Sequence, residues 1–256
     1  MKTAQKILSK VPEITIFFWI VKVLSTGMGE VFSDYLLTTI NPVIGVILGL
    51  IGLVGSLILQ FSVRRYVPWI YWLTVVMISI FGTMAADILH VALGISYQVT
   101  TISFVVATAV IFVAWYVSEK TLSIHNIFTK RREFFYWSIV LATFALGTAV
   151  GDLTAGPLDL GYLPSGILFV VFMIIPALAH RFFGLKEIPA FWIAYIMTRP
   201  LGASFADWMG TPRVEGGLGW GKGPVSLVMT LIIIALVGYL TLTHKKVRNR
   251  HVESES

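Results

Sequence analysis

The chain has 256 residues, of which 57% are hydrophobic and only 12% charged. A soluble domain carries about 25% charged residues, so the composition excludes an ordinary water-facing globule and points to lipid as the main solvent. No cysteine is present, which excludes a disulfide framework and a thiolate metal site. The net charge of +6 would suit a nucleic-acid partner, but the placement of the charges argues against one.

A helix needs about 20 predominantly apolar residues to cross a bilayer. Eight segments qualify, in chain order: Ile14–Leu37, Pro42–Val63, Trp69–Val91, Thr101–Val117, Phe134–Thr154, Leu163–His180, Phe191–Met209 and Val225–Thr243. Apolar residues surround most of them on all sides, as bilayer helices require. The opening Met1–Lys10 is basic, but the apolar segment after it holds Lys22, Glu30 and Asp34 and no small-residue cleavage site, so no cleaved leader is expected.

Lysine and arginine set the orientation. Lys2, Lys6 and Lys10 precede the first span. Arg64 and Arg65 join spans two and three, and Lys120, Lys130, Arg131 and Arg132 join four and five. Arg181 and Lys186 join six and seven, and Lys245, Lys246, Arg248 and Arg250 come after span eight. The opposite loops hold only Arg213 and Lys222. Both termini are therefore expected in the cytoplasm of a bacterial inner (plasma) membrane. The basic charge is a topology signal, with lipid and not nucleic acid as the partner.

One pattern occurs four times: Trp, nine residues, Gly, three residues, a small residue, Asp. Its copies are Trp19/Gly29/Ser33/Asp34, Trp72/Gly82/Ala86/Asp87, Trp137/Gly147/Gly151/Asp152 and Trp192/Gly202/Ala206/Asp207. Each copy is one marked helix and then one nearly uncharged helix, and two spans restore the starting side, so all four run in the same direction. The predicted fold is an all-α transmembrane bundle of eight helices, built from four parallel two-helix repeats with pseudo-symmetry about the membrane normal. The repeats fall at about 12–65, 66–120, 133–186 and 187–243 within one domain. Between the second and third lies a cytoplasmic loop, 121–132, and 244–256 reads as a disordered cytoplasmic tail. Gly45, Gly49, Gly52 and Gly55 give span two a small-residue packing face.

The stretches Gly82-Thr83-Met84-Ala85-Ala86-Asp87, Glu119 to Arg132 with Thr121-Leu122-Ser123-Ile124-His125, and Pro200-Leu201-Gly202-Ala203-Ser204-Phe205-Ala206-Asp207-Trp208 carry a family resemblance. The chain resembles bacterial membrane proteins made of four copies of a "repeat of unknown function", each with two spans and a recurring tryptophan. The likeness covers nearly the whole chain and implies architecture, not activity.

Function must come from the intramembrane charges. An Asp or Lys at a helix centre costs about 2.5–3.5 kcal/mol on insertion scales. Glu30, Asp34, Asp87, Asp152 and Asp207 face only Lys22 and Arg199 as internal counter-charges. Such an excess invites either protonation or a bound cation. Glu30 with Asp34, Thr83 with Asp87, and Thr148 with Asp152 offer oxygens one turn apart, and Ala203 breaks the pattern in the fourth copy. His90, three residues after Asp87, tilts the ligand set toward a transition metal, with Asp34, Asp87, His90 and Asp152 as the metal candidates.

These residues predict a proton-coupled secondary carrier of a small cation, a divalent-metal exporter in the narrower form, with no cofactor beyond that cation. The alternative is a scaffold or sensor whose polar cluster only fixes helix packing. The four Asp also fit an outer boundary, where loop amides would satisfy them. The four Trp fit an aromatic belt. Pro200 is expected to kink or break span seven, the loop Glu119 to Glu133 to be a solvated turn, and the glycine-rich loop Gly210 to Pro224 to be a mobile lid. The signatures of soluble enzymes do not occur, and no enzyme activity is expected. Oligomeric state is not legible.

Overall fold

The computed structural model describes residues 9–255, with the side chains of Val91 and of residues 244–255 outside the description. Lys2, Lys6, Lys245, Lys246, Arg248 and Arg250, expected on the cytoplasmic side, therefore fall outside the described side chains. Among the described residues eight long helices make the fold: α1 (Ile16–Thr39), α2 (Pro42–Ser62), α3 (Pro68–Asp87), α4 (Tyr97–Glu119), α5 (Lys130–Ala155), α6 (Tyr162–Phe183), α7 (Glu187–Gly210) and α8 (Lys222–Glu255). Local chemistry sets several boundaries. Thr15, Asn41, Ser96 and Thr129 accept hydrogen bonds at helix starts, and Pro42 and Pro68 occupy first-turn positions where no backbone donor is needed. Gly184, with φ 70°, ends α6 in the left-handed conformation. The polar stretch after Thr243, expected to be disordered, continues α8 as helix to Glu255.

The chain is an integral membrane protein. Among the described residues seven helices are long and apolar enough, by length and composition, to cross a bilayer. The remaining helix, α7, is 24 residues long, carries Arg199 and Asp207, and lies largely buried among the others. Odd-numbered helices form an inner ring in which α1 packs on α3, α3 on α5, α5 on α7 and α7 back on α1. Even-numbered helices form the outer layer, their large apolar side chains facing outward: Ile51, Ile58, Val113, Ile174 and Ile234 are examples. Each outer helix packs chiefly on the inner helix of the next repeat: α2 on α3, α4 on α5, α6 on α7, and α8 on α1. The repeats thus interlock in a closed cycle. Gly49 and Gly52 of α2 serve it by receiving the Met84 and Met77 side chains of α3, whereas Gly55 faces open space.

The motif glycines close the inner ring. A Cβ on Gly29 would collide with Ser79, on Gly82 with Phe144, on Gly147 with the Arg199 stem, and on Gly202 with Thr26. Each glycine therefore seats a residue of the next repeat, and the fourth returns to the first. Pro200 neither breaks nor interrupts α7, which is continuous from Glu187 to Gly210. Its ring lies against Gly147, where the absence of a side chain makes room for it.

Three other expectations are corrected. The motif tryptophans do not form an interfacial belt. Trp72, Trp137 and Trp192 are buried, and Trp19 is half-buried against Phe18 and Phe191. The aromatic residue just before each Trp (Phe18, Tyr71, Tyr136 and Phe191) joins them in one cluster, in which the Tyr71 and Tyr136 hydroxyls are 2.5 Å apart. The loop after α4 is not a solvated turn: Ile124 and Ile127 are buried, and the Trp192 indole donates to the Leu122 carbonyl at 2.9 Å. The glycine-rich outer loop is held by backbone bonds from Leu218 to Trp208, Gly219 to Thr211 and Trp220 to Met209, with Gly216, Gly219 and Gly221 at positive φ.

Candidate functional site

Aligning the four inner helices on their motif gives five tiers at four-residue steps. From the N-terminal end they are Phe18/Tyr71/Tyr136/Phe191, Lys22/Val75/Val140/Tyr195, Thr26/Ser79/Phe144/Arg199, Glu30/Thr83/Thr148/Ala203 and Asp34/Asp87/Asp152/Asp207. The i±4 rows of a helix surface form a continuous ridge, so one ridge per helix carries the whole column. The middle three tiers are buried throughout, while Asp34, Asp87 and Asp152 are half-buried and Asp207 is 8% exposed. The aspartate tier is thus the more exposed end of the column.

The fourth tier is built around Arg199. Ala203 leaves one place in that tier empty, and the guanidinium reaches up one turn to fill it. Its Nη2 donates to Glu30 Oε2, Thr83 Oγ1 and, at 2.7 Å, Thr148 Oγ1, and its Nη1 donates to the Thr26 carbonyl at 3.1 Å. One side chain thereby ties all four inner helices together. Arg199 is 1% exposed and Glu30 3%. Ion pairs so deeply buried need this number of hydrogen bonds to offset desolvation.

Above it, Glu30, Asp34 and Asp207 each present an oxygen within 4.8 Å of the others. Asp34 is paired with Lys222 at the start of α8, 2.5 Å away. Asp87, Asp152 and Asp207 make no side-chain hydrogen bond or ion pair among the described residues, so no loop amide satisfies them. Asp207 nevertheless lies within electrostatic reach of Glu30, Asp34 and Asp152.

Several predicted site residues are placed differently. His90 does not join the carboxylates. At Ile88 the winding changes from α to π, and His90 binds the Ile95 carbonyl through Nδ1 at 2.7 Å and lies against Tyr97. The change of pitch rotates it off the face predicted from α-helical spacing. Of the expected metal candidates Asp34, Asp87, His90 and Asp152, only Asp34 belongs to the carboxylate cluster found among the described residues, Glu30, Asp34 and Asp207. Lys22 does not pair with a carboxylate. Its ammonium, fully buried and without a hydrogen-bond acceptor among the described residues, lies 3.9 Å from the Phe144 ring centroid and 4.2 Å from that of Tyr195. The counter-charges of the site are Arg199 and Lys222.

The opposite end is closed by a second buried ion pair. Glu133, expected in a loop, lies in the first turn of α5 with 0% exposure, and accepts from Lys10 Nζ at 2.5 Å and Gln60 Nε2 at 3.0 Å. Backbone bonds from Lys10 to Ile127 and from Tyr66 to Ser9 hold the N-terminal segment across that end.

Fold, repeats and buried charge define a polytopic helical membrane protein of four parallel two-helix repeats. The profile of the family described as Repeat of Unknown Function (DUF347) matches at residues 17–66, 70–121, 135–184 and 190–246, which is most of the chain, and the protein belongs to that family. No match was found among curated proteins or among solved structures.

Proposed function

We propose that the protein is a secondary carrier of a small cation, coupled to protons, and more narrowly an exporter of a divalent metal. One observation carries the reading: Glu30, Asp34 and Asp207 converge from α1 and α7 with oxygens within 4.8 Å of one another, beside Asp87 and Asp152, whose side chains make no hydrogen bond among the described residues. Oxygen-only ligands suit hard divalent ions and Mn²⁺. A carboxylate cluster in low dielectric holds either protons or a cation, and that exclusivity is the basis of exchange.

In this reading the protein lies in a bacterial inner membrane with both termini cytoplasmic, in line with the distribution of Lys and Arg, and it is not an enzyme. The aspartate tier then faces outward, and the Lys10–Glu133–Gln60 cluster closes the inner end. Loading of a cation from the inside requires that cluster to open, as alternating access about a central site demands.

The test is Mn²⁺ flux in proteoliposomes with Asp34→Asn and Asp207→Asn, two members of the cluster. Both variants should lose most of the flux; unchanged flux in both rejects the site. A second reading, a non-transporting scaffold or sensor, is favoured by the four-helix lock on Arg199. It requires that the same variants melt earlier and that no cation moves the melting temperature.

A further inference from the structure

Lys222 stands apart from its counterparts in the repeat. The outer helices begin beside the aspartate tier: Tyr97 opens α4 within electrostatic reach of Asp152 and Asp87, and Tyr162 opens α6 within reach of Asp207. At the corresponding start of α8 the residue is Lys222, and because α8 packs on α1 its ammonium meets Asp34. The second and third repeats place an uncharged phenol where the fourth places a cation.

The surroundings fit a charge that can come and go. The side chain of Lys222 is 34% exposed and that of Asp34 19%, so water reaches both. Gly210 lies under the lysine stem, where a Cβ would come within 3.2 Å of Cγ. Gly221 precedes it at φ 83°. Lys222 also lies within electrostatic reach of Asp207 and Glu30, the other two members of the cluster. Asp207 itself is more than nine-tenths buried, its carboxylate makes no hydrogen bond or ion pair among the described residues, and it points an oxygen into the same space. The cluster thus has one ligand held by an ammonium, one held by Arg199 and one unheld.

We propose that the Lys222 ammonium is a tethered competitor that occupies the Glu30/Asp34/Asp207 site when it is unloaded and is displaced into water by an incoming divalent cation. This rests on the carrier reading above and adds to it the element that sets affinity and keeps the empty site neutralised. A flexible ammonium suits the role better than a guanidinium, because it is a compact point charge on a mobile stem.

The test is MnCl2 binding to the purified full-length protein, read by equilibrium dialysis and by thermal shift, for wild type, Lys222→Gln, Lys222→Arg and Lys222→Tyr. Removing one positive charge from a partly screened site should lower the half-saturating MnCl2 about tenfold in the Gln and Tyr variants. The Arg variant should stay close to wild type, and in an Asp34→Asn background Lys222→Gln should change nothing further. The Tyr variant places the residue of the second and third repeats at this position and serves if the Gln variant does not fold. Equal MnCl2 binding by wild type and both neutral variants overturns the competitor while leaving the cation site intact. No MnCl2 binding by any of the proteins overturns the competitor and the carrier site together.

Discussion

Replacing Arg199 by Met should be among the most damaging single changes in the chain. It leaves Glu30, 3% exposed, without its cation and removes the donor shared by Thr83 and Thr148. Breaking a buried ion pair from one side costs about 3–5 kcal/mol. At about 2–4 °C per kcal/mol for a chain near this size, the melting temperature should fall by roughly 6–20 °C. Glu30→Gln alone strands the guanidinium instead and should cost a similar amount. The combined variant leaves no uncompensated charge, so its loss should be smaller than the two single losses together by about 2 kcal/mol or more. Thermal unfolding of the four proteins in one detergent reads all three values. Strictly additive losses, or single variants that melt within about 2 °C of wild type, would refute the four-helix lock.

The same packing fixes other outcomes. Gly202→Ala puts a Cβ 2.8 Å from the Val23 carbonyl and 2.9 Å from the Gly27 nitrogen; because backbone cannot yield as a side chain can, a loss of about 1–3 kcal/mol is expected. Gly55→Ala meets nothing within 4 Å and should melt within about 0.5 kcal/mol of wild type in the same assay. Since the sequence has no cysteine, single cysteines can be read without background. A cysteine at Asp87 should react with a membrane-impermeant maleimide from the aspartate end, and one at Ser79, two tiers deeper and fully buried, should not. His90→Ala should leave the half-saturating MnCl2 unchanged within about twofold, since the imidazole is turned to the Ile95 carbonyl.

The repeat and its division into marked and nearly uncharged helices were legible because the motif lies on single helices, where spacing alone fixes the face. Trp19, Gly29 and Asp34 recur at the same intervals in every copy, and no knowledge of tertiary contacts is needed to see it. Which helix meets which was not legible. The interlocking of each outer helix with the next repeat depends on long-range packing, so Lys222 looked like a loop charge until α8 was placed against α1. Arg199 stood out in the sequence as an internal charge, but its reach of one turn to Glu30 on another helix, into the place vacated by Ala203, is a tertiary event. Reading the aligned repeats as columns would have shown more: the aromatic before every Trp and the tier position of Lys22 beside Tyr195 are both present in the sequence. The belt expectation for Trp failed because an aromatic near a helix start can turn either to the interface or to the bundle axis. Here the neighbouring Phe18, Tyr71, Tyr136 and Phe191 build an aromatic core. His90 was misassigned because one π turn changes the angle per residue.

The most direct test of the carrier account is proton movement driven by a MnCl2 gradient. Wild-type protein, Asp34→Asn and Asp207→Asn are placed in proteoliposomes loaded with a pH-sensitive dye. An inward MnCl2 gradient should produce an internal pH rise with the wild-type protein that both variants lack. If the dye signal is the same in wild-type, Asn-variant and protein-free vesicles, the gathered carboxylates do not exchange protons for a cation.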